Sequence, residues 1–254
     1  MKSKIKETKQ SFEYQWKNLP EGKWLLSDPR WRENVDKFIL QELDNPRKWF
    51  KGKKVLDAGC GNGRWSYGFL KLGCSVTAFD VSPSGCQWTR RNTKKFKKRI
   101  KVFQSDIFEL AKTPLKKNSF DIIYSWGVLH HTYDTFEAFK KLVPFVKKGG
   151  VFHVYIYGIN KKIHSNFIHF ILHTFFGFFS LSKRHALSKI IGRLWGKSPH
   201  SLFDAYSARI RHHHSPEEVK SWFILCGFKE VKRTFPEWCG GKKNTRDSHM
   251  FGVK

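Results

Sequence analysis

The segment Val55-Leu56-Asp57-Ala58-Gly59-Cys60-Gly61-Asn62-Gly63-Arg64-Trp65 constrains the fold of this chain more than any other. A short strand of buried type runs into a G-x-G-x-G turn that opens a helix. Glycines at alternate positions let the backbone turn sharply and let a ligand approach closely, while the helix that follows offers free N–H groups to a carboxylate or phosphate. A loop that binds a nicotinamide dinucleotide has its third glycine three residues after the second and an acid about 20 residues further on. Here the spacing is shorter, and an acid, Asp57, precedes the loop.

From Lys53 to about Gly158 the apolar runs are short and separated by amphipathic stretches of helix length, the alternation that builds a parallel sheet with crossover helices. Strands are expected at Lys54–Ala58, Ser75–Asp80, Ile100–Ser105, Asp121–Ser125 and Val151–Tyr157. Between the second and third strands, Ser82 is the N-cap and Pro83 the first residue of a helix whose last turn holds Lys94, Lys95, Lys97 and Lys98. The pattern stops after Gly158 and resumes at Ser215-Pro216-Glu217-Glu218, a capping box that opens a helix ending at Gly227. Phe228–Phe235 and His249–Val253 read as closing strands, joined by a loop containing Gly240-Gly241. The chain therefore divides into an N-terminal helical arm (1–50), a cofactor-binding core (51–159), an inserted segment (160–214) and the last helix with the closing strands (215–254).

Charge is the unusual quantity: 48 Lys+Arg against 21 Asp+Glu give +27, which speaks for an anionic partner and says little about fold. Five cysteines, widely spaced and never C-x-x-C, suggest neither a disulfide framework nor a zinc site and fit a reducing cytoplasm. No export signal is read at the amino terminus. Ile163–Leu181 lacks Lys, Arg, Asp and Glu, but its histidines and its length, under about 20 residues, argue against a membrane span.

Polar groups recur at the strand ends. Asp80 closes the second strand, where its carboxylate can accept both hydroxyls of a ribose. Asp106 closes the third, beside Ile107, and Ser125 closes the fourth, just before Gly127-Val128-Leu129-His130-His131. With these residues the sequence resembles the class I S-adenosylmethionine-dependent methyltransferases, in the branch of the ubiquinone and menaquinone methyltransferases. The resemblance implies a Rossmann-like α/β fold, a seven-stranded doubly wound sheet of order 3-2-1-4-5-7-6 with the last strand antiparallel and an inserted helical lid. It also implies S-adenosylmethionine as cofactor. The methionine part falls to Asp57, Gly59, Gly61 and Gly63, the ribose to Asp80, and the adenine to Asp106 and Ile107. Cys60, Val81 and Ser125 complete the candidate cofactor set.

Methyl transfer from a sulfonium needs alignment, exclusion of water and, for a hydroxyl acceptor, a base. His130 and His131 are the nearest titratable candidates, either as base or as packed, hydrogen-bonded rings. No [N/D/S]-P-P-[Y/F] motif follows strand four, and no cysteine lies between Cys86 and Cys226, which speaks against nucleobase chemistry. In the insertion, Tyr206, Arg211, His212 and His214 are candidates for contacting an anionic or hydroxylated substrate. His212, His213 and His214 are neighbours that do not converge easily, so no metal site is assigned. As a helix, Ile163–Leu181 sets Ser165, His169 and His173 to one side and Phe167, Phe170, Ile171 and Phe178 around the rest. It reads either as a lid or as an interfacial helix with basic ends, Lys161-Lys162 and Lys183-Arg184. Phe12, Tyr14, Trp16, Trp24 and Trp31 either fold over the cofactor or pack on the sheet.

The expected function is methyl transfer to a small-molecule, glycan or lipid-linked acceptor by a cytoplasmic protein with peripheral membrane contact. The alternatives are an RNA methyltransferase or a cofactor-binding module without catalysis.

Overall fold

The computed structural model describes residues 1–19, 28–159, 163–243 and 246–254, and, within 163–169, the backbone only. Trp24, Lys161 and Lys162, and the side chains of Ser165, Phe167 and His169, lie outside the described residues. In chain order the main elements are α1 (Lys2–Asn18), α2 (Pro29–Leu43), β1 (Lys54–Ala58), α3 (Arg64–Lys71), β2 (Ser75–Asp80), α4 (Pro83–Asn92), β3 (Ile100–Gln104) and β4 (Phe120–Trp126). They continue as α5 (Thr135–Leu142), β5 (Val146–Ile156), α6 (Ile163–Gly177), α7 (Leu181–Trp195), α8 (Pro199–Ser207), α9 (Pro216–Leu225), β6 (Lys229–Thr234) and β7 (Ser248–Val253).

The strands form one sheet of order β3-β2-β1-β4-β5-β7-β6, as the resemblance implies. β1 to β5 are parallel, and β7 runs antiparallel to both β5 and β6. Helices cover both faces, so the inner strands are apolar on both sides. Leu56, Ile123, Phe152 and Val154 meet Phe139, Leu142, Trp222 and Phe223 of α5 and α9 on one face. On the other, Val55, Ile122 and Tyr124 meet Val35 and Ile39 of α2 and Trp65 and Phe69 of α3. Successive residues of β1 and β4 thus alternate between two cores, the period-two pattern of a strand.

The N-caps are as expected, Ser82 Oγ accepting from Gly85 N at 2.9 Å and Ser215 Oγ from Glu218 N at 3.1 Å, but the Glu218 side chain turns to His214 Nδ1 at 2.8 Å and does not close the box. Three boundaries differ. The basic last turn of α4 is Arg90 and Arg91, because the helix stops at Asn92, and the lysines fall in a separate 3-10 stretch, Lys94–Arg99. Asn92 reaches back to Asn62 O at 2.8 Å, and Phe96 leaves helical geometry as the chain turns into β3. β5 starts at Val146, paired with Phe120 across an irregularity before Ile122. The expected helix through Leu181 is two, because the chain turns at Phe178-Phe179-Ser180 and restarts at Leu181.

Candidate active site

The carboxyl ends of β1, β2, β3 and β4 open into a cavity of about 840 Å3, roofed by α1 and α8. Its floor is the glycine loop. Gly59 and Cys60 both donate to Phe79 O, at 2.9 and 3.0 Å, and Gly61 donates to Asp80 Oδ2 at 2.8 Å. Gly59 has φ +83°, and a Cβ there would lie 2.3 Å from Val128 Cγ2; at Gly61, φ +50°, it would lie 2.6 Å from the Trp16 ring. Only glycine fits a backbone that takes left-handed angles under such close neighbours. The cradle gives the room, and the acids around it the acceptors, that an adenosyl amino acid needs.

Of the expected cofactor residues, Gly59, Cys60, Gly61, Asp80, Val81, Asp106 and Ile107 line the cavity. Asp80 also accepts from Ser82 N at 2.8 Å, so its two oxygens tie the glycine loop to the start of α4. Burial raises its pKa against these backbone bonds. Asp106 caps Phe108 N at 2.9 Å and pairs with Lys9 at 2.5 Å. Asp57, Gly63 and Ser125 lie beneath the lining. Asp57 is 1% exposed and accepts from Ser66 Oγ at 2.5 Å; burial, joined by the charge of Asp80, pushes its carboxyl up to about 7. Ser125 Oγ donates to Ala58 O at 3.1 Å, locking β4 to β1.

α1 closes the crevice with more than the aromatic residues read from the sequence. Glu13 accepts from Ser82 Oγ at 2.6 Å, Ser84 Oγ at 2.5 Å and Ser84 N at 3.1 Å. Burial would raise its pKa, but these bonds outweigh it and hold the carboxyl below its usual range. Trp88 Nε1 donates to Trp16 O at 2.9 Å, and Phe12 meets His131 edge-on at 5.0 Å. Trp16 and Trp31 line the cavity, while Tyr14 stacks on Phe203.

The two candidate histidines part company. His131 lines the cavity, and its Nδ1 is 2.9 Å from Ile210 O. A carbonyl accepts only from an N–H, so the neutral ring carries its proton on Nδ1 and keeps the lone pair on Nε2. Burial lowers its pKa, with Asp204 working against it, so the ring is held in its neutral form. His130 is fully buried outside the lining, 3.9 Å from the Tyr157 ring, with neither ring nitrogen hydrogen-bonded among the described residues.

Among the insertion residues, Arg211 lines the cavity with its guanidinium 4.5 Å from the Tyr157 ring and a bond to Ala205 O at 3.1 Å. Tyr206 packs on Phe176, and His212 holds His130 O through its backbone N–H at 2.8 Å. His214 bridges Thr135 Oγ at 2.9 Å and Glu218 at 2.8 Å, stapling α9 to α5. These three residues are not in the lining.

Sequence reading missed Arg30, Arg64, Trp65, Trp126, Asp204 and Arg246, all in the lining. Arg64 and Trp126 directly follow Gly63 and Ser125, and that adjacency was the available signal. It also missed a buried cluster behind Trp126. Glu42 accepts from Trp126 Nε1 at 3.1 Å, His153 Nε2 at 3.0 Å and His249 Nδ1 at 2.8 Å, and the last two carry it to about 2 against the cost of burial. Glu42, Cys239 and His249 bring metal-ligating atoms within 4.8 Å of one another. Both Glu42 oxygens are already engaged, so these groups act as a hydrogen-bonded tie between α2, β5 and β7.

Residues 55–150 match the methyltransferase-domain family. The ubiquinone biosynthesis O-methyltransferase of Pelagibacter ubique is 30% identical over 137 residues, 53% of this chain and 52% of that protein. The chain thus spans about half the length of the curated relatives it matches. Among solved structures, an O-methyltransferase family protein from Burkholderia thailandensis superposes with a TM-score of 0.59 at 11% identity, over 90% of this chain and 58% of that one. Magnesium protoporphyrin IX methyltransferase from Synechocystis, solved with bound S-adenosylhomocysteine, gives 0.53 at 15% identity, over 88% and 83%. The strand order and the glycine loop thus stand with a methyltransferase-domain match over residues 55–150, and the sequence likeness of the chain lies with the ubiquinone-biosynthesis O-methyltransferases.

Proposed function

We propose that this protein transfers a methyl group to a small-molecule acceptor held beside His131. The observation that carries the reading is one cavity that joins the glycine cradle and the acids Asp80 and Asp106 to a neutral histidine and a wall of tryptophans. S-adenosylmethionine supplies the electrophilic methyl group. Asp80 holds the ribose hydroxyls, and Asp106 with Ile107 and Val81 holds the adenine. The glycine loop leaves room for the methionine part, and α1 excludes water. His131 Nε2 takes the proton of an acceptor hydroxyl, and Ile210 O steadies the proton left on Nδ1.

The acceptor, in this reading, is anionic or attached to an apolar carrier, and the protein meets it at an anionic membrane surface. Among the described residues no helix is long and apolar enough to cross a membrane. α6, α7 and the turn between them nevertheless expose Phe170 (66%), Phe178 (81%) and Leu194 (76%). Residues 160–203 contain no Asp or Glu, while Lys183, Lys189, Arg193 and Lys197 accompany the apolar side chains. An apolar patch among cations is complementary to anionic headgroups.

Labelled S-adenosylmethionine incubated with separated metabolite, lipid, glycan and RNA fractions tests the reaction. Label in a small molecule or lipid-linked compound is expected. Label in RNA alone, or cofactor bound without turnover, overturns the reading. Vesicles of anionic lipid should sediment the protein more than neutral ones and lose it when Phe178 and Leu194 become Ser; equal sedimentation rejects the membrane part.

A further inference from the structure

Arg64 stands in an unusual setting. Its guanidinium carbon lies 4.8 Å from the Trp31 ring, 5.2 Å from Trp65 and 4.7 Å from Trp126, and the residue lines the cavity. Among the described residues its side chain makes neither a hydrogen bond nor an ion pair. Other inward arginines of this chain do find acceptors. Arg184, 4% exposed, binds Glu7 at 2.5 Å together with the carbonyls of Phe179, Ser207 and Gly177. Three indole faces steady a cation, but they leave the in-plane N–H donors of the fork unfilled. Such a fork faces the cavity with its donors free, and a carboxylate or phosphate matches it with two parallel bonds.

The position of Arg64 says which ligand fills that fork. The acids whose charge reaches it are Asp204 and Asp57. Asp204 belongs to α8, and Tyr157 follows β5 and donates to Asp204 at 3.2 Å. Both line the cavity together with Arg64. Arg211, over the Tyr157 ring, and Arg246 line the same cavity.

We infer that Arg64 is a specificity-determining residue for the acceptor: it holds a carboxylate or phosphate on an aromatic or apolar body that lies against Trp31, Trp65 and Trp126. The inference rests on the methyltransferase reading above and adds the substrate class to it.

The test uses the full chain saturated with S-adenosylhomocysteine, with benzoate and phenyl phosphate as anionic probes and benzamide as the neutral counterpart. Calorimetry should show at least one anion binding more tightly than benzamide, and the preferred anion names the group. Arg64→Met should weaken that anion about ten- to hundredfold, the loss expected for charge-assisted bonds, and leave benzamide unchanged. Arg64→Lys should restore part of the affinity. S-adenosylhomocysteine affinity within about twofold in both variants shows that the site is folded. The inference is overturned if both anions bind no better than benzamide, if Arg64→Met leaves them unaffected, or if cofactor affinity falls in step, in which case Arg64 holds the cofactor's own carboxylate. Failure of the unmodified chain to bind S-adenosylhomocysteine overturns the methyltransferase reading instead.

Discussion

Replacing Asp57 with Asn removes a charge that its surroundings oppose. The carboxyl is sealed at the end of β1, with Ser66 as donor and Asp80 nearby, and its pKa rises from the ordinary 3.8 to about 7. A rise of about 3 pH units, at about 1.36 kcal/mol each, makes the ionised form cost the fold about 4 kcal/mol. The sign follows from proton binding. Between about pH 4 and 7 the folded chain holds a proton on Asp57 that the unfolded chain has released, so this contribution is fully present below pH 4 and lost as pH rises through 7. Asn keeps an acceptor for Ser66 but cannot ionise. Urea unfolding of the cofactor-free protein and of Asp57→Asn, followed from pH 4 to 8, should therefore give curves that diverge, the variant gaining on the parent by several kcal/mol as pH rises. Parallel curves across that interval would refute the argument, since a pH-independent cost of the amide shifts one curve without changing its slope.

Two further substitutions probe the loop and its cover. Gly59→Ala forces a side chain into left-handed backbone at φ +83° and against Val128, and should destabilise the fold by about 2–4 kcal/mol and abolish cofactor binding, as read by thermal unfolding and calorimetry. Glu13→Ala removes the acceptor shared by Ser82 and Ser84; amide exchange in residues 9–16 should quicken about tenfold while that of β1 and β4 stays unchanged.

What could be read from the sequence is what short-range chemistry dictates. The Gly59-Cys60-Gly61 turn, the Ser82-Pro83 and Ser215-Pro216 starts and the two-sided apolar strands each leave a local pattern, and the sheet order followed from the resemblance those patterns carry. The residues that were missed act over long sequence separations. Lys9 meets Asp106, Glu13 meets Ser82, and Glu42 gathers His153 and His249, pairings that only the closed fold creates. His130 and His131 look alike in sequence, and only the backbone of Ile210 distinguishes the ring at the cavity from the ring beneath it. The fifth strand was expected from Val151, yet Val146 already pairs with Phe120 as the start of β5, ahead of the Lys147-Lys148-Gly149-Gly150 stretch.

Asp80 also changes role once its neighbours are seen. Its carboxylate holds Gly61 through one oxygen and Ser82 through the other, so an alanine would strand two buried N–H groups while Asn keeps one acceptor and is the milder probe. Calorimetric titration of S-adenosylmethionine into the unmodified protein and into Asp80→Asn therefore tests the central claim most directly. The account predicts one cofactor per chain, with affinity falling about tenfold or more in the variant while its unfolding midpoint drops by only a few degrees, the cost of the one N–H left without its acceptor. No heat of binding to the unmodified protein, or equal affinity in the two, would contradict it.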